Sequence, residues 1–100
     1  MHTGIDIDGY KGQPVGAAAA GMVVSTGWEG GYGKMVVIRH NNGLVTRYGH
    51  LSKIEVSSGQ SVSRGDLIGL VGSTGRSTGS HLHFEVLNGG SFQNPTKLLK

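Results

Sequence analysis

The sequence predicts an all-β fold: a compact antiparallel β-sheet domain with internally duplicated hairpin units and a loop-walled cleft. Glycine accounts for 19 of the 100 residues, and 36% of residues are hydrophobic while 15% are charged. Average proteins contain about 7% glycine, so this composition is typical of short strands joined by tight turns. No heptad or long helical pattern is present. A chain of this length makes one domain with one core.

Six segments have the apolar and β-branched residues of strands and are bounded by turn residues. They are predicted at residues 3–7, 21–26, 34–40, 44–48, 66–71 and 81–87. The sequence Asn-Asn-Gly at 41–43 separates two of these segments, and Asn-Gly is a strong signal for a β-hairpin. After Pro95, residues 96–100 are predicted to form a last helical turn or a tail.

An internal echo indicates a structural duplication. Residues 12–15 (Gly-Gln-Pro-Val) precede a hydrophobic strand and then Ser-Thr-Gly at 25–27. Residues 59–62 (Gly-Gln-Ser-Val) precede another hydrophobic strand and then Ser-Thr-Gly at 73–75, with a slip of about one residue. Two similar units that pack together to close one core would explain the echo, and chance in a Gly/Ser/Val-rich chain is the alternative.

The charge and composition narrow the classes of partner. The net charge of +3 is compatible with ordinary solubility or with attraction to an anionic polymer such as a bacterial wall. Lysine and arginine are scattered without interleaved aromatic residues, so we expect no nucleic-acid partner. No apolar run is long enough to span a membrane. We expect the chain to be a monomer.

The histidines carry the chemical signal. An H-x-H sequence such as His81-Leu82-His83, placed in a strand, puts both imidazoles on one face. His2 and Asp6 are four residues apart and also share a face in an extended segment. Two histidines and one carboxylate are the ligand set of a catalytic zinc site, whose fourth position stays open for water. The second histidine of the H-x-H and His50 would then stand beside the metal, and the arrangement predicts hydrolysis.

Three polar residues near these positions have competing interpretations. Asp8 shares the parity of Asp6, but Asp8-Gly9 has the composition of a turn, so Asp6 is the preferred ligand. Glu85 either orients a histidine or forms a surface ion pair. His40 precedes Asn-Asn-Gly and is interpreted as structural or solvent-facing.

The aromatic residues and the glycine-rich loop have open roles too. Tyr48 shares the parity of His50 and either lines the cleft or packs in the core. Trp28 and Tyr32 flank a glycine loop, where they grip substrate or cap the core. Residues 72–80 lack a phosphate-binding ending and precede a strand, so we expect them to form one wall of a cleft.

The ordered motifs resemble those of the lysostaphin/LytM-type zinc metalloendopeptidases, which cut peptidoglycan cross-bridges and stem peptides. Residues 2–6 match the family's H-x-G-x-D segment, and the resemblance spans essentially the whole chain. The other matching motifs lie in order at residues 12–15, 31–33, 48–51, 69–75, 77–85 and 94–95.

The resemblance implies a function and a site. It implies one zinc ion per chain held by His2, Asp6 and His83, with His50 and His81 as the catalytic pair. It also implies a peptidoglycan-peptide substrate and a location in the cell envelope, periplasmic or extracellular, or an origin in a phage. Because His2 has a single residue before it, residues 1–100 are expected to be one peptidase domain cut from a longer chain.

Some features depart from the family or fit other classes. Ser80 stands where the family usually has proline.

The runner-up function is a non-catalytic relative, a regulator or binding module for wall hydrolases, but this chain keeps all five site positions. The glycine pattern over residues 56–69 resembles carrier domains, yet Lys34 does not have a methionine on each side, as a modified lysine typically does. Short loops favour a D,D-endopeptidase over an enzyme dedicated to pentaglycine.

Overall fold

The all-β prediction is confirmed. The computed structural model describes residues 4–74, 79–88 and 91–92, which form one antiparallel sheet, and within these ranges the one helical segment is a 3₁₀ turn at Gly30–Tyr32. The strands in chain order are β1 (Ile5–Asp8), β2 (Pro14–Gly16), β3 (Gly21–Glu29), β4 (Gly33–Arg39), β5 (Leu44–Ile54), β6 (Ser61–Val62), β7 (Leu67–Val71), β8 (His81–Asn88) and β9 (Ser91–Phe92).

Each of the six predicted segments falls on a strand, but two strands run three or more residues further than predicted. β3 continues to Glu29 and β5 continues to Ile54. β5 is long because it changes partners: its first part pairs with β8 up to Gly49, and its second part pairs with β7 from Leu51. The predicted turn or tail at residues 96–100 lies outside the described residues.

The strand order brings three distant parts of the chain together. The main path of the sheet is β1-β8-β5-β4-β3-β6, with β7 joined to β5, β2 joined to β7 and β9 joined to β8. β8 therefore lies between β1 and β5, so that residues from the start, middle and end of the chain become lateral neighbours. The predicted β4–β5 hairpin is confirmed, because the His40 amide donates to the Leu44 carbonyl at 2.8 Å.

The internal echo corresponds to two turns with the same hydrogen bonds. In residues 10–13 the Gln13 amide donates to the first carbonyl at 3.0 Å, and the Gln13 side chain accepts from the first amide at 3.2 Å. In residues 57–60 Gln60 makes the same two bonds, both at 3.1 Å. Gly12 and Gly59 both have φ of 92°, as the third residue of a type II turn requires.

The two units bind each other reciprocally. The first turn pairs with Val71 of β7, through Gly12 N–Val71 O at 2.7 Å and Val71 N–Gln13 O at 2.9 Å. The second turn pairs with Val23 of β3 through the same pair of bonds, at 2.6 and 2.9 Å. Each unit thus supplies a turn to the other unit's strand, which is how the duplicated segments close one core.

The core is formed mainly by alternate residues of the strands. The side chains between them point to the opposite face of the sheet, away from the core. Its buried members are Val15, Ala17, Val23, Val36, Ile38, Tyr48, Leu51, Val56, Val62, Ile68, Val71, Leu82, Phe84 and Val86.

A polar chain runs through this core. The His40 ring is buried, and its Nδ1 donates to the Ala20 carbonyl at 2.8 Å. Its Nε2 lies 2.9 Å from the Thr46 hydroxyl, which lies 2.8 Å from the Tyr48 hydroxyl. The Ala18 amide donates to that same Tyr48 oxygen at 3.0 Å. Both residues are therefore structural: His40 does not face solvent, and Tyr48 packs in the core instead of lining a cleft.

In the part of the chain that is described, no helix has the length and apolar character needed to cross a membrane.

Candidate metal centre

The pairing of β1 with β8 places Asp6 beside both histidines of the H-x-H sequence. Asp6 lies opposite His83 in the register, and Asp8 lies opposite His81. Asp6 Oδ1 is 2.8 Å from His83 Nδ1 and 3.5 Å from His81 Nε2. The preference for Asp6 over Asp8 as a ligand is consistent with these contacts. His2, the third residue expected at the metal, lies outside the described residues.

Alternation along β8 separates the site from the core, as the H-x-H pattern predicts. His81 and His83 face Asp6, whereas Leu82 and Phe84 belong to the hydrophobic core. The Phe84 ring packs on Tyr48 with ring centroids 5.3 Å apart. The histidines are therefore mounted on a strand whose opposite face is fixed by core packing.

A β-bulge in β5 brings His50 to the same face. Lys34 pairs with Leu51, and Val36 pairs with Tyr48, so three steps along β5 match two along β4. The extra residue is accommodated at His50, which has φ of 60°. A bulge re-aims side chains, and the His50 ring lies 5.1 Å from the His81 ring and 5.8 Å from the His83 ring.

Thr74 holds His50 through its backbone. His50 Nδ1 donates to the Thr74 carbonyl at 2.6 Å. The Thr74 hydroxyl is fixed in turn, because it donates to the Leu51 carbonyl at 2.7 Å and accepts from the Lys34 amide at 3.1 Å. Residues 75–78 of the expected cleft wall lie outside the described residues. The histidine spacing gave no sign of Thr74, because its contribution is a main-chain oxygen.

Glu85 is a buried carboxylate behind His83. Its side chain has no exposed surface, and its Oε2 accepts from His83 Nε2 at 3.0 Å and from the Tyr32 hydroxyl at 2.9 Å. Arg47 Nη1 lies 3.4 Å from Glu85 Oε1. Of the two interpretations of Glu85, orientation of a histidine therefore fits and a surface ion pair does not. No sequence pattern pointed to Arg47, whose place opposite Glu85 depends on the β5–β8 register.

The two flanking aromatic residues differ in role. The Tyr32 ring lies 5.7 Å from the His83 ring and its hydroxyl reaches Glu85, so it belongs to the site. Trp28 is 62% exposed at the end of β3, so it does not cap the core.

His83 sits between two carboxylates, and this raises its pKa. The hydrogen bond to Glu85 raises the pKa of His83 most, burial of the ring opposes this effect, and the bond to Asp6 adds to it. An imidazolium can donate from both nitrogens, so protonation is one way for the ring to satisfy both neighbours.

A metal ion is the other way, and the residues fit one. If His83 Nε2 carries its proton toward Glu85, then Nδ1 presents a lone pair toward Asp6 Oδ1. Imidazole nitrogen and carboxylate oxygen are zinc ligands. No set of three His, Asp or Glu side chains arranged to hold a metal occurs within residues 4–74, 79–88 and 91–92. The described residues thus supply two of the expected ligands, Asp6 and His83.

The chain resembles known proteins in sequence and in fold. The sequence profile of Peptidase family M23 matches residues 1–95. The chain is 49% identical over 98 residues to the DD-carboxypeptidase/endopeptidase Mpg of Neisseria meningitidis serogroup B, covering 98% of this chain and 23% of that protein. The chain therefore spans about a quarter of the length of this curated relative.

Two solved structures share the fold. The catalytic domain of lysostaphin, an antimicrobial peptidase from Staphylococcus simulans, is 38% identical with a TM-score of 0.93, covering 99% of this chain and 79% of that chain. A zinc-containing peptidase from Vibrio cholerae is 42% identical with a TM-score of 0.90, covering 99% of this chain and 30% of that one.

The resemblance seen in the motifs is thus confirmed over nearly the whole chain, in sequence and in fold. The chain belongs to Peptidase family M23.

Proposed function

We propose that residues 1–100 form a zinc-dependent metalloendopeptidase domain that hydrolyses peptide bonds in bacterial peptidoglycan cross-links within the cell envelope. The observation that carries the proposal is the convergence of Asp6, His81, His83 and His50 from three adjacent strands. The names of the related proteins support it, since they include a DD-carboxypeptidase/endopeptidase and a zinc-containing peptidase.

His2, Asp6 and His83 would hold the zinc ion. When bound, zinc supplies Lewis-acid chemistry, making water more acidic near neutral pH and polarising a carbonyl group. Two neutral imidazoles and one carboxylate leave the site with a net positive charge, which suits that chemistry.

His50 and His81 would move the protons. The Thr74 carbonyl accepts from His50 Nδ1, so the neutral ring keeps its proton there and its Nε2 can accept one. After accepting it, Nε2 can donate to an oxyanion or to the leaving amine. His81 lies beside it at a ring separation of 5.1 Å, so either imidazole can act as base while the other stabilises the developing charge.

The experiment compares fragments released from two purified peptidoglycans, one with direct cross-links and one with glycine bridges. Mass spectrometry of the products should show hydrolysed peptide cross-links with the zinc-loaded protein, and the products identify the bond that is cut. Removal of zinc with a chelator should abolish release, and zinc should restore it. The runner-up function, a non-catalytic binding module, is supported instead if the folded, zinc-loaded chain sediments with peptidoglycan but releases nothing.

A further inference from the structure

We propose that Glu85 is a positioning residue that holds the His83 ring with its proton on Nε2, and that Tyr32 fixes Glu85 in this role. The inference rests on the proposed function, because it concerns the state in which His83 presents Nδ1 to zinc. It explains why the Glu85 carboxylate is buried behind His83, on the side of the ring away from Asp6.

The Glu85 side chain is fully buried. A carboxylate with no exposed surface is costly unless it is paired and hydrogen-bonded. Gly4 lies so close that a Cβ there would be 2.7 Å from Glu85 Cγ and would collide with the Phe84 carbonyl. The absence of a side chain at Gly4 lets the backbone just before β1 pack directly against Glu85.

The hydrogen bond between Glu85 and His83 has a defined direction. A carboxylate can only accept, so the 3.0 Å contact between Glu85 Oε2 and His83 Nε2 is a hydrogen bond only when Nε2 carries a proton. Asp6 competes for the single proton of a neutral ring, but its side chain is 37% exposed and water can replace the ring as its partner, whereas Glu85 is fully buried and favours the proton on Nε2. A neutral ring then has its lone pair on Nδ1, which is the nitrogen that faces Asp6 at 2.8 Å. Partners of this kind behind a ligating histidine fix its tautomer and orientation.

Tyr32 holds Glu85 in place. Its hydroxyl donates to the same Oε2 at 2.9 Å, and its ring lies beside His83. Tyr32 ends the 3₁₀ turn Gly30–Tyr32, so one side chain connects this turn to the expected ligand. Arg47, at 3.4 Å from the other oxygen, compensates the buried charge.

The test uses two substitutions and one matched control. Glu85→Gln replaces an acceptor by an amide that can also donate, and Arg47 favours turning the amide oxygen toward itself and the NH₂ toward His83. This variant should bind zinc about 10–100-fold more weakly, measured by competition with a chelator. Tyr32→Phe should weaken zinc binding several-fold. Tyr48→Phe removes a hydroxyl outside the site and should leave zinc affinity unchanged.

A second readout separates positioning from general support of the fold. In metal-free protein at alkaline pH, where the ring is neutral, nitrogen NMR should show the His83 proton on Nε2 in the parent. In Glu85→Gln it should show a larger share on Nδ1. Thermal melts identify folded variants, and if Glu85→Gln does not fold, Tyr32→Phe carries the test by both readouts.

The outcomes are distinct. If the folded variants keep the parent's tautomer, the proposal is overturned, even where their zinc affinity falls. Zinc affinities of both variants within two-fold of the parent would also overturn it. A parent that binds no zinc would refute the proposed function, whereas the tautomer in the metal-free protein would still test the role of Glu85.

Discussion

At the scale of single residues, His50 has an uncommon backbone conformation. Among the residues that the structure describes, it is the one non-glycine residue with positive φ, at 60°. A left-handed conformation costs an L-residue about 1–2 kcal/mol, and such strain is found most often at functional positions. Here the strain accompanies the bulge that turns the ring toward His81.

Two substitutions at His50 should separate activity from backbone strain. His50→Ala and His50→Gly should both lose peptidoglycan hydrolysis, by about 10²–10⁴-fold, because neither carries an imidazole. His50→Gly should be the more stable of the two by about 1 kcal/mol, since glycine adopts positive φ without penalty. Urea unfolding at one pH gives the two free energies. Equal stabilities would show that residue 50 stores no strain.

The acidic residues of β1 provide a matched pair for the metal site. Asp6→Asn should lose most of its zinc, because the carboxylate beside His83 Nδ1 becomes a weaker neutral ligand. Asp8→Asn, on the same face of the same strand and also exposed, should retain it. Elemental analysis of the two proteins after equal dialysis provides the measurement. Zinc lost from the Asp8 variant and kept in the Asp6 variant would reverse the assignment.

At the scale of elements, each duplicated turn contains a glycine with positive φ and pairs with a strand of the other unit. A Cβ at Gly12 or Gly59 would meet nothing within 4 Å, so substitution there changes only the backbone preference. Gly12→Ala and Gly59→Ala should therefore each destabilise the protein by a similar amount, about 1–2 kcal/mol, measured by denaturant unfolding.

The neighbouring residue supplies the control for these turns. Lys11→Ala changes the exposed second residue of the first turn, which does not have positive φ, and should alter stability by less than about 0.5 kcal/mol. Markedly unequal losses at Gly12 and Gly59 would mean that the two units contribute unequally to the fold.

At the scale of the whole molecule, the polar chain around Tyr48 ties strand β5 to the first duplicated unit inside the core. Its hydroxyl joins Thr46 of β5 to the Ala18 amide that follows β2. Tyr48→Phe should cost about 1–3 kcal/mol at neutral pH, because a partly buried amide loses its acceptor.

The same residue predicts how stability depends on pH. Burial raises the pKa of Tyr48 above its usual value of 10.0, so the folded state favours the neutral phenol. The contribution of Tyr48 to the free energy of unfolding should be complete below pH 10 and should decline as pH rises through the folded-state pKa. The difference in free energy of unfolding between the parent and Tyr48→Phe should shrink above pH 10. Denaturant unfolding from neutral to alkaline pH measures this difference. A constant difference would contradict a buried, neutral Tyr48.

Much of the fold followed from local sequence. Period-two alternation located the strands, and Asn-Gly located the β4–β5 hairpin. The H-x-H spacing correctly placed His81 and His83 on one face, because side chains alternate along any strand. The Gly-Gln repeats predicted a duplication, whose two turns form the same hydrogen bonds. Family motifs then nominated the ligands and the catalytic pair, whose roles stay predictions.

Other features depended on which distant strands pair, and in what register. Parity placed Tyr48 and His50 on one face, but the bulge puts Tyr48 in the core and His50 in the site. A bulge adds one residue relative to a partner strand, so it is a property of the pair. The Thr74 carbonyl at His50 and the burial of Glu85 arise in the same way. The sequence by itself determined the strands, the turns and the H-x-H face through local alternation and backbone preference. Only the tertiary structure decided how His50, Thr74 and Glu85 surround His83, because pairing between distant strands sets those contacts.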